Sequence, residues 1–387
     1  MYSRRYLKFI LCSSIALIAL LAIRPIFVSL ISAQSEPAPN LIRLAYFYKP
    51  PPSQEEQELV IDTSDTVILT RRDEWFRDEI VRKSDSDPIL QYLLFERIHD
   101  PCGIAARGPG ASCDCDERVN ANNVGWNSDD VCMLINDHAD WFLRNQDDDV
   151  FYLDDYVFMD IGNPGWQSFY LDRIRTSQLE FGWNGIFLDN VRGTINRFET
   201  LDQVVPAYPT DESYVVATEG FLKFLYETYF QPNDVPLYAN LRSMPEENNE
   251  VWTAYLHYLD GAMDEFWAID WGYEYLSPEE WELSMQRAII TQEMQDEFIA
   301  VTHGEPDDLE RQRFALASFL LITDGTASFR YSNVRDYASP VIYDNFEYGL
   351  GAPISLRYRE GENWRRDFEN GYVTANPTTN EAEIIVR

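Results

Sequence analysis

The stretch Gly185-Ile186-Phe187-Leu188-Asp189-Asn190-Val191 decides how the rest of the chain is read. Three apolar residues lead into an acidic one, with helix-rich sequence on either side. A buried parallel strand that ends by presenting a carboxylate has this pattern. In a (β/α)8 barrel the C-terminal ends of the strands floor the active site, so Asp189 is a candidate catalytic group. The competing reading is a cap on the next helix or a satisfied buried acid.

Outward from this stretch, strands and helices alternate. Residues 41–48 read as a first strand, stopped by Pro50-Pro51-Pro52. Residues 66–70 and 89–95 read as the second and third. Between them lies an amphipathic helix carrying Trp75, Phe76, Ile80 and Val81. Asn163-Pro164 is a helix start, with Trp166, Phe169, Tyr170 and Ile174 as its apolar stripe. Residues 185–189 are strand four. Residues 236–241, 261–267, 298–302 and 326–331 follow as strands five to eight. Ser277 and Glu280 form a capping box, and 309–322 is helical. The pattern predicts an α/β fold, a (β/α)8 TIM barrel over 41–335 with an insertion at 99–159. Beyond it, 336–387 reads as a short β-rich C-terminal tail, too small for a domain of its own.

Composition narrows the function. The formal net charge of -34 argues against a nucleic-acid partner. With only His99, His138, His257 and His303 available, a His-built metal centre is not expected, and no cofactor is implied. Arg4, Arg5 and Lys8 precede an apolar run, so 1–33 reads as a signal peptide cleaved after Ala33 or as an N-terminal membrane anchor. In the second case 7–23 tethers the protein, and in both cases 34–40 is a linker. The remainder would lie outside the cytoplasm, secreted or anchored. There, Cys102, Cys113, Cys115 and Cys132 are expected to form two disulfides stapling a loop with little core of its own. Cys113 and Cys115 are too close to pair comfortably. That leaves Cys102–Cys113 with Cys115–Cys132, or Cys102–Cys115 with Cys113–Cys132.

Glycosidic hydrolysis needs two carboxylates flanking the scissile bond. Asp189 and Glu265, near the ends of strands four and six, can converge across a barrel mouth. Asp264 is the reserve, because adjacent strand residues point to opposite faces. Tyr48 at the end of the first strand is placed to stack on a sugar. Asn190, Asn240 and Trp267 are further candidates for substrate contact. Glu305 is the alternative carboxylate, though a charge near a helix N-terminus explains it as well.

Met159-Asp160-Ile161-Gly162-Asn163-Pro164-Gly165-Trp166 and Gly182-Trp183-Asn184-Gly185-Ile186-Phe187-Leu188-Asp189-Asn190-Val191 resemble the signature of barrel hydrolases related to endo-α-1,4-polygalactosaminidase. The wider pattern resembles a bacterial family of hypothetical glycosyl hydrolases, family fifteen, known mainly from sequence. Tyr46-Phe47-Tyr48-Lys49, Asp260-Gly261 through Glu265-Phe266, and Asn376-Pro377-Thr378 add to it. The resemblance implies Asp189 and Glu265 as the catalytic pair, with Asp160 nearby, and a carbohydrate substrate. The alternative is a carbohydrate-binding or cell-surface scaffold barrel without catalysis.

Overall fold

A computed structural model describes residues 41–115, 122–127, 129–195, 198, 204–245 and 248–387. The expected signal or anchor segment and the linker lie outside these residues. Eight strands, all parallel, close into a barrel in chain order: β1 (Arg43–Tyr48), β2 (Thr66–Leu69), β3 (Ile89–Leu94), β4 (Ile186–Arg192), β5 (Leu237–Arg242), β6 (Gly261–Asp264), β7 (Glu297–His303) and β8 (Ser328–Ser332). β8 pairs back onto β1. This is the (β/α)8 barrel expected from the alternation.

The strands form because both of their faces are buried. Phe47, Ile68, Leu90, Phe187, Tyr238, Met263 and Ile299 fill the barrel interior. Alternate residues such as Leu188, Ala239 and Ala262 pack outward under the helices. A period of two with apolar residues on both faces is what a continuous apolar run encodes. The helix starts follow their caps. Asn163 Oδ1 accepts from the Gly165 amide at 2.9 Å, and Ser277 with Glu280 closes a capping box.

Gly185 enters β4 where no side chain fits. A Cβ there would lie 2.5 Å from Leu90 Cδ2 and 3.0 Å from the Pro236 carbonyl oxygen. Gly185→Ala is therefore expected to destabilise the protein by about 1–3 kcal/mol, the usual cost of overpacking. A denaturant melt reads this directly, and an unchanged midpoint would mean that β3 and β5 can spread at this point.

Two strand ends differ from expectation. β4 does not stop at Asp189 but runs on to Arg192. A bulge between Leu188 and Val191 absorbs Asn190 at a φ of 64°, a left-handed conformation that Asn tolerates. β6 ends at Asp264, so Glu265 lies just beyond the strand.

The insertion holds the disulfides Cys102–Cys115 and Cys113–Cys132, the second of the two pairings left open by spacing. It does not lack a core. The helix Asp130–Asp137 buries Val131, Leu134 and Ile135, which join the main apolar cluster. Arg173 pins that helix by donating to both carboxylate oxygens of Asp130, at 3.1 and 2.6 Å. Among the described residues no helix is long and apolar enough to cross a membrane.

At the C-terminus a four-stranded antiparallel sheet forms from Tyr358–Glu360, Asn363–Phe368, Gly371–Asn376 and Glu381–Val386. It lies against the helix Leu309–Ile322. Arg366 crosses from the sheet and donates to the carbonyls of Leu320 and Thr323 at 3.0 and 2.6 Å. A cation on the last carbonyls of a helix satisfies groups that no backbone donor can reach.

Candidate active site

The alternation that builds the barrel also aims the site. Phe187, Tyr238 and Met263 point into the barrel. Asp189 and Asn240 each follow two residues later and continue the inward face at the C-terminal mouth, and Glu265, in the turn just after β6, meets them there by accepting from Asn240. Asp264 faces outward, where Arg287 Nη1 donates to its carboxylate at 3.3 Å.

One amide joins the two inward carboxylates. Asn240 Nδ2 donates to Asp189 Oδ1 at 2.9 Å and to Glu265 Oε2 at 2.8 Å. Those two oxygens are therefore separated by at most the sum of the distances, about 5.7 Å. Both acids are only 8% exposed. Asp189 accepts three more bonds. The Asn190 backbone amide reaches it at 2.8 Å, Asn190 Nδ2 at 2.6 Å, and the Tyr92 hydroxyl completes the set. The bulge makes the two Asn190 bonds possible, because the left-handed turn folds that residue back onto its neighbour. Arg192 Nη2 in turn donates to Asn190 Oδ1 at 3.0 Å and holds the amide in this sense.

Glu265 is held differently. Arg242 Nη1 donates to Oε2 at 3.0 Å, and the Tyr337 hydroxyl donates to Oε1 at 3.2 Å. Burial pushes the Glu265 carboxyl up to about 7, and the charge of Asp189 adds to the rise. Arg242 and the bonds from Asn240 and Tyr337 pull the other way. Beneath it, His303 Nε2 contacts the Glu265 carbonyl at 2.8 Å. Burial pushes that imidazole down to about 4, which leaves it neutral near pH 7 with Nε2–H donating to the carbonyl.

The other sequence candidates separate. Tyr48 stands at the mouth, its ring centroid 5.2 Å from that of Tyr92, and its hydroxyl accepts from Asn122 Nδ2 at 3.0 Å. Asp160 sits in the turn before its helix, bonded by the Tyr208 hydroxyl and by the Gly162 amide at 3.1 Å. Glu305 accepts from Asn333 Nδ2 at 2.7 Å, while Asp308 caps the helix that follows. None of these bonds joins Asp160 or Glu305 to the acid pair. Trp267 does not face the mouth. It is fully buried under the helix Pro278–Glu293, with Nε1 donating to the Ser284 carbonyl at 3.2 Å. The chain turns after Asp264, so strand alternation no longer governs residue 267.

Three side chains at the site were not singled out from sequence. Tyr92 and Arg242 continue the inward faces of β3 and β5, two residues beyond Leu90 and Asn240, so period counting could have found them. Tyr337 comes from the segment after β8 and carries no comparable signal. Among the described residues no group of three or more His, Cys, Asp or Glu side chains is arranged to hold a metal ion.

A closed parallel barrel with two carboxylates meeting over its C-terminal mouth has the framework of a barrel glycosidase. Residues 115–372 match the model of hypothetical glycosyl hydrolase family 15, and the chain belongs to that family. It is thus a glycosidase by family. No curated protein matches the sequence. Among solved structures, the glycoside hydrolase domain of PelA from Pseudomonas aeruginosa is 14% identical, with a TM-score of 0.49 over 76% of this chain and 96% of that one. The maltogenic α-amylase AmyB from Thermotoga neapolitana is 11% identical, with a TM-score of 0.48 over 88% of this chain and 86% of that one.

Proposed function

We propose that the protein cleaves glycosidic bonds in an extracellular polysaccharide or oligosaccharide with retention of configuration, using Asp189 as nucleophile and Glu265 as general acid and base. The observation that carries this is the Asn240 amide shared between the two carboxylates. A separation of about 5–5.5 Å suits direct attack by one carboxylate, whereas roughly 6.5–9.5 Å is needed to seat a water. The bridge holds the facing oxygens within about 5.7 Å of each other, which favours the shorter arrangement.

In the first step Glu265 gives its proton to the leaving glycosidic oxygen. Asp189 attacks the anomeric carbon, the C–O bond breaks, and a glycosyl ester forms. The attacking oxygen gives up one of its donors, and Asn240, which also serves Glu265, is the one shared. In the second step Glu265 takes a proton from water, the water oxygen attacks the anomeric carbon, and Asp189 leaves as carboxylate. Raised proton affinity suits Glu265 to the first step. Four donors around Asp189 suit the group that faces a developing cation.

Two disulfides favour an oxidising, extracytoplasmic setting. N-terminal sequencing of the mature protein separates cleavage after Ala33 from an intact tether. The function itself is tested by screening polysaccharides for new reducing ends, with proton NMR of the first anomer released from the active substrate. Release of the inverted anomer would overturn the nucleophilic role of Asp189. A pure protein that produces no reducing ends from any polysaccharide would overturn the hydrolase reading.

A further inference from the structure

We propose that the cavity beside the acid pair, on the β1 to β3 side of the mouth, is a further sugar subsite that stacks an uncharged pyranose of the same glycan on Trp75 and Tyr48. This deepens the reading above and rests on it for the position of the scissile bond.

The cavity encloses about 680 Å³ and is walled by the ends of β1 and β2, by the helix Glu74–Lys83 and by the insertion. Sites for small ligands commonly fall in the range of about 300–1,000 Å³. Tyr48, Lys49, Asp73, Trp75 and Asn122 supply its chemistry. Trp75 was expected from sequence on the buried face of its helix. Phe76 and Ile80 take that role, and Trp75 is left 51% exposed and lines the cavity. A large aromatic held in water at a concave polar site offers a stacking face that only a ligand covers.

Tyr48 is the wall between this cavity and the acids. It lines the cavity, and its ring lies edge-on against Tyr92, whose hydroxyl donates to Asp189. Its backbone adopts a φ of 121°, which is strained for a bulky residue. Such strain persists only where surrounding contacts impose it. Here the Asn122 amide fixes the hydroxyl from the insertion side. A glycan lying between Asp189 and Glu265 would cross Tyr48 to place its next unit over Trp75.

The charges select the class of sugar. Burial raises the Asp73 carboxyl above its ordinary value, while the Thr70 hydrogen bonds, Lys49 and Arg72 pull it back. Lys49 and Arg72 against Asp73 leave one positive charge in excess at the cavity, which disfavours a cationic sugar. The formal net charge of -34 on the chain disfavours a polyanion. Uncharged hydroxylated rings fit this better than uronates or sulfated sugars.

The test is calorimetric titration of the full chain carrying Glu265→Gln, which removes most turnover. The probes are linear hexasaccharides of α- and β-linked glucose, mannose and galactose, with oligogalacturonate as the charged comparator. At least one neutral hexasaccharide should bind, and adding Trp75→Ala should weaken it at least tenfold. Absence of binding, binding indifferent to Trp75→Ala, or preference for oligogalacturonate overturns the proposal. Reducing-end release by the unsubstituted protein on the same sugars keeps the two readings apart. Trp75-dependent binding without cleavage supports the subsite and counts against the hydrolase pair. Cleavage of hexasaccharides untouched by Trp75→Ala overturns the subsite and leaves the pair standing.

Discussion

Glu265→Gln should remove most turnover, by about 10²–10⁴-fold, the usual contribution of general acid–base assistance. Asp189→Asn should cost at least as much. The two amides differ in what they do to the fold. At Glu265, a Gln oxygen can still accept from Arg242 and Asn240, and its NH2 can donate to the Tyr337 hydroxyl oxygen. Each of these three partners keeps a hydrogen bond to the substituted side chain. At Asp189 every neighbour is a donor. The NH2 introduced by Asp189→Asn must face donors on one side, at a cost of about 1–3 kcal/mol. Lost turnover without a lowered melt is therefore expected for Glu265→Gln, and lost turnover with a lowered melt for Asp189→Asn. If Glu265→Gln keeps near-normal turnover while Glu305→Gln abolishes it, the acid has been placed on the wrong strand.

Turnover should fall as the pH rises through about 7, because Glu265 must hold a proton to donate. The cause is burial, reinforced by the Asp189 charge. Arg242 opposes both. Arg242→Met removes that cation, so the proton is held more tightly and the alkaline limb should move to higher pH. A limb that stays in place, or moves down, would mean that another group sets it. Stability follows the same group with a definite sign. The folded state binds the Glu265 proton more tightly than the unfolded chain does. Its contribution is complete below the ordinary 4.5 and is lost as the pH rises through about 7. The size is roughly 3 kcal/mol at 1.36 kcal/mol per tenfold change in proton affinity. Glu265→Gln should therefore melt at or above the unsubstituted protein at pH 8, and close to it at pH 4.

Much of this was legible in the sequence because it depends on local periods. Runs such as Ile186-Phe187-Leu188 announce strands buried on both faces, and counting by twos from Phe187 and Met263 points Asp189 and Glu265 the same way. Helix starts at Asn163 and Ser277 are set by contacts three residues long or less. The candidate pair, the barrel and the two disulfides were therefore within reach of a residue-by-residue reading.

What the sequence could not supply comes from segments far apart in the chain. Tyr337 reaches Glu265 only because the chain returns over the mouth after β8, where the buried Arg330 donates to the Tyr337 carbonyl. Trp267 and Trp75 exchanged expected roles. The turn after Asp264 tucks Trp267 under a helix, and Phe76 fills the space that Trp75 was assigned. The proton affinity of Glu265 was decided last of all. It depends on how much water the assembled mouth excludes and on the distances to Asp189 and Arg242, and neither quantity exists until the strands have closed.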